Sequence, residues 1–143
     1  MTHPQRILLA ALAPACGAIH TPVQVQKLIF LLDREIPEDI NGPLYRFRPY
    51  NYGPFDKNVY GDLEVLAGLG YVEMVPCGRL QGFRLTAEGQ VLGNSVILDE
   101  LPQRARDYIN RASGFVRSLS FSALVSAIYK AYPDMKANSI FQS

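Results

Sequence analysis

Tryptophan is absent from this sequence, and cysteine and histidine occur only twice each in 143 residues. Cys16 and Cys77 are far apart and lack the Cys-x-x-Cys spacing of a redox or zinc motif. His3 and His20 have no companion ligands at the spacing that a metal site needs. We therefore expect free thiols, no disulfide framework, no metal and no cofactor.

The chain also lacks a long apolar run and a strong charge of either sign. No segment approaches the roughly 20 apolar residues that a membrane-spanning helix needs, and the N-terminus does not have the layout of a secretory signal. We therefore expect a cytoplasmic protein without membrane contact. The formal net charge is +1, whereas nucleic-acid-binding domains are usually strongly basic, which argues against tight non-specific binding of DNA.

Motifs of catalysis are missing as well. There is no glycine-rich phosphate loop, no Gly-x-Ser-x-Gly turn and no carboxylate pair in a recognisable catalytic context. The four acidic residues between positions 33 and 39 are typical of solvated charges near a helix end. The sequence thus predicts a protein that is not an enzyme.

Hydrophobic residues make up 48% of the chain, enough for one core, and they recur at helical spacing in several segments. The first helix is predicted over residues 4–15. A second begins with Thr21 as its N-cap and Pro22 at the first helical position. Its outward-facing residues are predicted to be Gln24, Gln26, Lys27 and Arg34.

The middle of the chain combines short strands with a third helix. Aromatic and basic residues alternate over residues 45–48 until Pro49 interrupts them, which predicts a short edge strand. The third helix is predicted to be capped by Asp56 and to stop at Gly70, a residue that tolerates positive φ.

A hairpin follows, with strands predicted over residues 71–75 and 82–85, and Thr86 caps the next helix. This order predicts an α+β, mainly α fold: a winged helix-turn-helix over residues 1–98, with a helical extension over residues 99–143 packed on the same domain. The predicted shared core consists of Leu28, Leu32, Val59, Leu63, Leu66 and Phe83.

The extension contains two predicted helices. Apolar residues in the first alternate four and three positions apart, as in a heptad stripe. The stripe consists of Leu101, Ala105, Tyr108, Ala112, Phe115 and Leu119. It either lies across the core or forms the seam of a homodimer. The last helix is predicted to begin at Ser120 or Ser122 and to stop before Pro133.

Two segments carry a resemblance to known proteins. Residues 63–73, LEVLAGLGYVE, followed by residues 82–89, GFRLTAEG, resemble a signature shared by many bacterial winged-helix regulators. The resemblance implies a winged helix, a fold that serves both DNA binding and protein interaction.

A narrower resemblance covers most of the chain. The segments QKLIFLL at residues 26–32, YNYGPF at residues 50–55 and Val59-Tyr60 are similar to the Panacea, or SocA-type antitoxin, domain, although Phe55 replaces the commoner valine. The resemblance implies a bacterial protein of a toxin–antitoxin operon. It also implies an antitoxin that can deliver its toxin to a protease.

Two functions remain open at this point. As a DNA-binding regulator of its own operon, the protein would use Lys57, Asn58, Arg79, Arg84, Arg46 and Arg48. Asp62 and Glu64 on the third helix argue against this function, because outward-facing carboxylates repel a polyanion. As an interaction module, it would bind a toxin or protease through Tyr50, Tyr52, Phe55 and Tyr60, which could instead be core residues.

Overall fold

The computed structural model describes residues 1–141. The longer helices are α1 (His3–Leu12), α2 (Pro22–Glu35), α3 (Lys57–Gly68), α4 (Ala87–Glu100), α5 (Gln103–Ser118) and α6 (Phe121–Ala131). The strands are β1 (Arg48–Tyr50), β2 (Gly53–Phe55), β3 (Val72–Cys77) and β4 (Leu80–Leu85). Short 3-10 turns cover Ala13–Ala15 and Pro133–Lys136. The predicted α+β, mainly α class is confirmed.

The strands form two separate antiparallel hairpins. In the first, β1 pairs with β2, with Arg48 opposite Phe55. In the second, β3 pairs with β4, with Val72 opposite Leu85; the sequence predicted this hairpin, but its strands run closer to the turn, to Cys77 and from Leu80. An isolated bridge joins His20, just before α2, to Phe83 of β4, so the chain entering α2 is attached to the second hairpin.

The edge strand predicted over residues 45–48 is wrong, because the strand begins only at Arg48. The backbone N–H groups of Leu44 and Tyr45 donate to the carboxylate of Asp33, at 2.7 and 2.9 Å. The backbone N–H of Arg46 donates to the carboxylate of Asp56 at 2.8 Å. Buried carboxylates thus take the bonds that a partner strand would have taken.

Helix ends follow the capping residues. The predicted caps Thr21, Asp56 and Thr86 each accept a hydrogen bond from a backbone N–H in the first turn of their helix, and Ser120, one of the two predicted starts of the last helix, does the same for α6. The first helix is shorter than predicted, because residues 13–15 form a 3-10 turn. Pro14 lies in this segment and has no N–H to continue the α-helical bonding.

One hydrophobic core joins all six helices, and it contains the predicted residues Leu28, Leu32, Val59, Leu63, Leu66 and Phe83. α5 packs against α2. Its buried apolar side chains are Ala105, Ile109, Ala112 and Val116. Ala105 and Ala112 of the predicted stripe lie on this buried face, whereas Phe115 is 41% exposed, which the core alternative does not predict.

Leu63 tests the placement of α3, because its side chain is completely buried. We expect Leu63→Ala to lower the free energy of unfolding by about 2 kcal/mol or more, since it removes buried methyl groups and leaves a cavity. Chemical denaturation of both proteins measures the difference. Leu69→Ala on the same segment is the control, because Leu69 is 53% exposed. Equal effects of the two substitutions would contradict the buried position of Leu63.

Candidate functional site

A groove lies between the β1–β2 hairpin and the beginning of α3, with a volume of about 1050 Å³. Four of the six residues predicted for DNA contact line it, namely Arg46, Arg48, Lys57 and Asn58. All four are exposed. Lys57 and Asn58 are the first two residues of α3, so they point from a helix N-terminus. We call this surface the basic groove.

Asp56 fixes the shape of the basic groove. One oxygen of its buried carboxylate caps α3 by accepting the N–H of Asn58 at 2.8 Å, and the other accepts the N–H of Arg46 at 2.8 Å. Gln26 of α2 bonds the backbone of Asp56 in both directions, donating to its carbonyl at 2.9 Å and accepting its N–H at 3.0 Å. One carboxylate therefore sets the separation between the loop and the helix that carry the cations.

Asp33 of α2 holds the chain that leads into the basic groove. It accepts the N–H groups of Leu44 and Tyr45. Burial raises the pKa of the Asp33 carboxyl, while these two hydrogen bonds act in the opposite direction. The loop that carries Arg46 is thus anchored at two buried carboxylates.

Asp62 differs from the outward charge that the sequence predicted. Its carboxylate is half-buried and accepts a hydrogen bond from the Tyr45 hydroxyl at 2.5 Å and another from the Gln5 amide at 3.0 Å. Burial, followed by the bond to Asp62, raises the pKa of Tyr45. These bonds hold the Asp62 carboxylate at the wall of the groove, whereas Glu64 remains exposed on α3.

The remaining two predicted DNA contacts lie on the second hairpin. Arg79 is exposed in the turn between β3 and β4. Arg84 of β4 lies opposite Glu73 of β3, and its Nε donates to the Glu73 carboxylate at 3.0 Å. Arg84 is therefore partly neutralised by a cross-strand ion pair, and neither arginine lines the basic groove.

The four residues predicted for partner binding surround a second, smaller pocket. Tyr50 stacks on Phe55 at 4.9 Å between ring centroids, and Phe55 meets Tyr60 edge-on at 5.7 Å. Tyr52 meets Phe121 of α6 edge-on at 5.1 Å. We call the space lined by these five rings the aromatic pocket. Tyr50 and Tyr52 are 51% and 40% exposed, so they form its rim rather than the protein core.

Lys27 lies elsewhere than the sequence predicts. It was predicted to look outward from α2 with Gln26, but Lys27 is 3% exposed and Gln26 is 2% exposed. The Lys27 side chain lines the aromatic pocket. Burial alone lowers its pKa to about 8. Helical spacing places Lys27 among the polar residues of α2, so periodicity does not reveal its burial. The only sequence feature that marks this position is the QKL segment, which carries the family resemblance.

Other kinds of site find no support in the part of the chain that the structure describes. Residues 1–141 contain no group of three or more His, Cys, Asp or Glu residues that could hold a metal ion. No helix within the same residues is long and apolar enough to cross a membrane. A scan with models of known protein families finds no match to this chain, and a search of curated proteins finds none either.

Proposed function

We propose that this chain is a winged helix-turn-helix protein that binds duplex DNA and regulates transcription of its own operon, in a toxin–antitoxin or phage-defence setting. The element order supports the fold: two helices, a short hairpin, a third helix, a second hairpin and a fourth helix. In this fold α3 takes the place of the recognition helix, and β3 and β4 take the place of the wing.

The observation that carries the proposal is the content of the basic groove. Lys57 and Asn58 occupy the first turn of α3, and the N-terminal residues of a recognition helix are those that meet base edges. An asparagine side chain can bond adenine in two places, and lysine or arginine can neutralise phosphates. Arg46 and Arg48 extend the positive surface from the same helix end onto the hairpin.

The acidic residues of the groove still oppose DNA, because hydrogen bonds leave the charge of a carboxylate in place. Asp56 and Asp62 line the groove with their carboxylates held by the protein itself, and Glu64 is exposed farther along α3. The three cations are exposed and can follow a phosphate backbone. With so few cations, binding would be weak at physiological salt and would depend on base contacts for its specificity.

The salt dependence of DNA binding tests this proposal. Arg46→Ala combined with Lys57→Ala removes two exposed cations of the groove and should flatten the plot of log K against log salt by about two. Arg111→Ala combined with Lys130→Ala is the control, because it removes the same charge from α5 and α6. Fluorescence anisotropy with duplex DNA from upstream of the gene, at several salt concentrations, measures both slopes.

Two outcomes would count against this proposal. Equal slopes for the two double variants would show that net charge, and not the basic groove, determines binding. Failure of the unaltered protein to bind any duplex at low salt would contradict the regulator function.

A second candidate is an interaction module or antitoxin that binds a toxin or protease without DNA. Exposed apolar side chains in the lining of the aromatic pocket favour this candidate. Leu80 is 57% exposed and Phe121 is 47% exposed. A homodimer through α5 would use Phe115 and Tyr108, which lie beside the buried face of that helix. Absence of DNA binding at low salt would favour this candidate.

A further inference from the structure

The aromatic pocket has a volume of about 270 Å³ and opens between the beginning of α2, the turn of the first hairpin and α6. Five aromatic rings line it. Among the described residues that line it, Lys27 supplies the one cationic side chain, and the other polar groups are hydroxyls and amides. A charged group in the wall of a largely apolar cavity is uncommon, because removing it from water is costly.

The Lys27 ammonium has no counterion among the residues that the structure describes. Among residues 1–141 no carboxylate lies within ion-pair distance of its Nζ, and no hydrogen bond to Nζ is formed. Burial is the single cause of its lowered pKa, with no contribution from a neighbouring charge. Buried charges are normally paired, so an anion that enters the pocket would supply a partner that residues 1–141 do not.

The backbone of Gly53 lies close beside the Lys27 ammonium. Gly53 of β2 has φ of 106°, a conformation that favours glycine. A Cβ atom built on Gly53 would lie 3.5 Å from Lys27 Nζ and 3.3 Å from Cε1 of Tyr129. Any larger side chain would therefore crowd the ammonium on that flank.

Size and charge restrict the ligand. The volume is slightly below the roughly 300 Å³ at which drug-sized pockets begin, so it accommodates a small molecule. A single ammonium balances one negative charge. A dianion such as phosphate would keep a second charge among aromatic rings without a partner, which is strongly unfavourable.

We propose that the aromatic pocket binds a small monocarboxylate with an aromatic or branched apolar body, and that the carboxylate pairs with the Lys27 ammonium. The apolar body packs against the rings of Tyr52, Phe55 and Phe121. Phe55 and Tyr50 also line the basic groove, so the ligand would contact residues that the two sites share. The proposal does not depend on DNA binding, and it holds equally for an interaction module.

Calorimetric titration of the full chain with 3-phenylpropionate, and with its neutral amide, tests the proposal. We expect the carboxylate to bind at least about tenfold more tightly than the amide, which corresponds to about 1.4 kcal/mol. Lys27→Met keeps the length of the side chain and removes the charge, so it should abolish the preference for the carboxylate. Lys130→Met removes an exposed charge from α6 and should leave the preference intact.

A variant at the pocket rim provides an independent test should Lys27→Met fail to fold. Phe121 is 47% exposed, so Phe121→Glu should fold and should weaken binding of the carboxylate far more than binding of the amide. Equal affinity of the unaltered protein for acid and amide would overturn the proposal. So would the absence of binding of either probe at about 5 mM, a concentration that detects even weak association.

Discussion

Gly89→Ala and Gly93→Ala should each destabilise the protein strongly, because α4 approaches its neighbours through these two glycines. A Cβ atom at Gly89 would lie 1.9 Å from the carbonyl oxygen of Tyr71, and one at Gly93 would lie 2.6 Å from the carbonyl oxygen of Leu9. Both obstacles are backbone atoms and cannot rotate away. We expect each substitution to lower the free energy of unfolding by about 4 kcal/mol, at the upper end of single-residue effects.

Gly114→Ala is the matched control for this prediction. Gly114 lies inside α5, and nothing is within 4 Å of a Cβ built there. Alanine should stabilise this helix by about 0.5–1 kcal/mol relative to glycine. Urea denaturation of the three variants gives the comparison. Similar effects at Gly93 and Gly114 would mean that α1 and α4 do not pack as closely as the structure has them.

The packing of α4 could not be predicted from the sequence, although the ends of the helix could. Thr86 is an N-cap by residue type and position, and local chemistry alone is enough to identify it. Gly89 and Gly93 appear in the sequence only as poor helix formers. Their role depends on the backbones of Tyr71 and Leu9, which are distant in the chain.

In the candidate site, too, features set by neighbouring residues could be predicted from the sequence, whereas contacts with distant residues could not. Exposed cations such as Lys57 were predicted because a helix start and its first residues are local features. The loop around Arg46 was predicted as a strand because alternation of residue types is a local pattern as well. Its actual backbone bonds go to Asp33 and Asp56, which no periodicity in the segment reveals.

α2 shows why the outward face of a helix can be misread. A polar residue on an amphipathic helix is usually exposed, but α2 is covered on more than one side, by α5 and by β2. Gln26 is buried because its amide satisfies the backbone of Asp56. Lys27, beside it, is equally buried and has no such partner within the described chain.

This difference leads to a prediction about stability, namely that Lys27→Met should stabilise the protein. Burial lowers the pKa of Lys27 from its ordinary value of 10.5 to about 8. At pH 7 the lysine is charged in both the folded and the unfolded states, so the folded state bears the full cost of burying the charge. A pKa shift of this size corresponds to a loss of about 3 kcal/mol in the free energy of unfolding. Methionine has a similar length and is apolar, so it should restore that loss.

The pH dependence identifies the cause of the effect. Because the folded pKa lies below the unfolded one, the unfolded state binds more protons between pH 8 and 10.5, and the unaltered protein gains stability as the pH rises through that window. The advantage of Lys27→Met should therefore be largest below pH 8 and fade towards pH 10.5.

Lys130→Met should change stability by less than about 0.5 kcal/mol. An advantage that does not vary with pH would assign the gain to packing. A gain that fades would show that Lys27 weakens the fold through its charge, as expected of a residue that serves binding rather than stability.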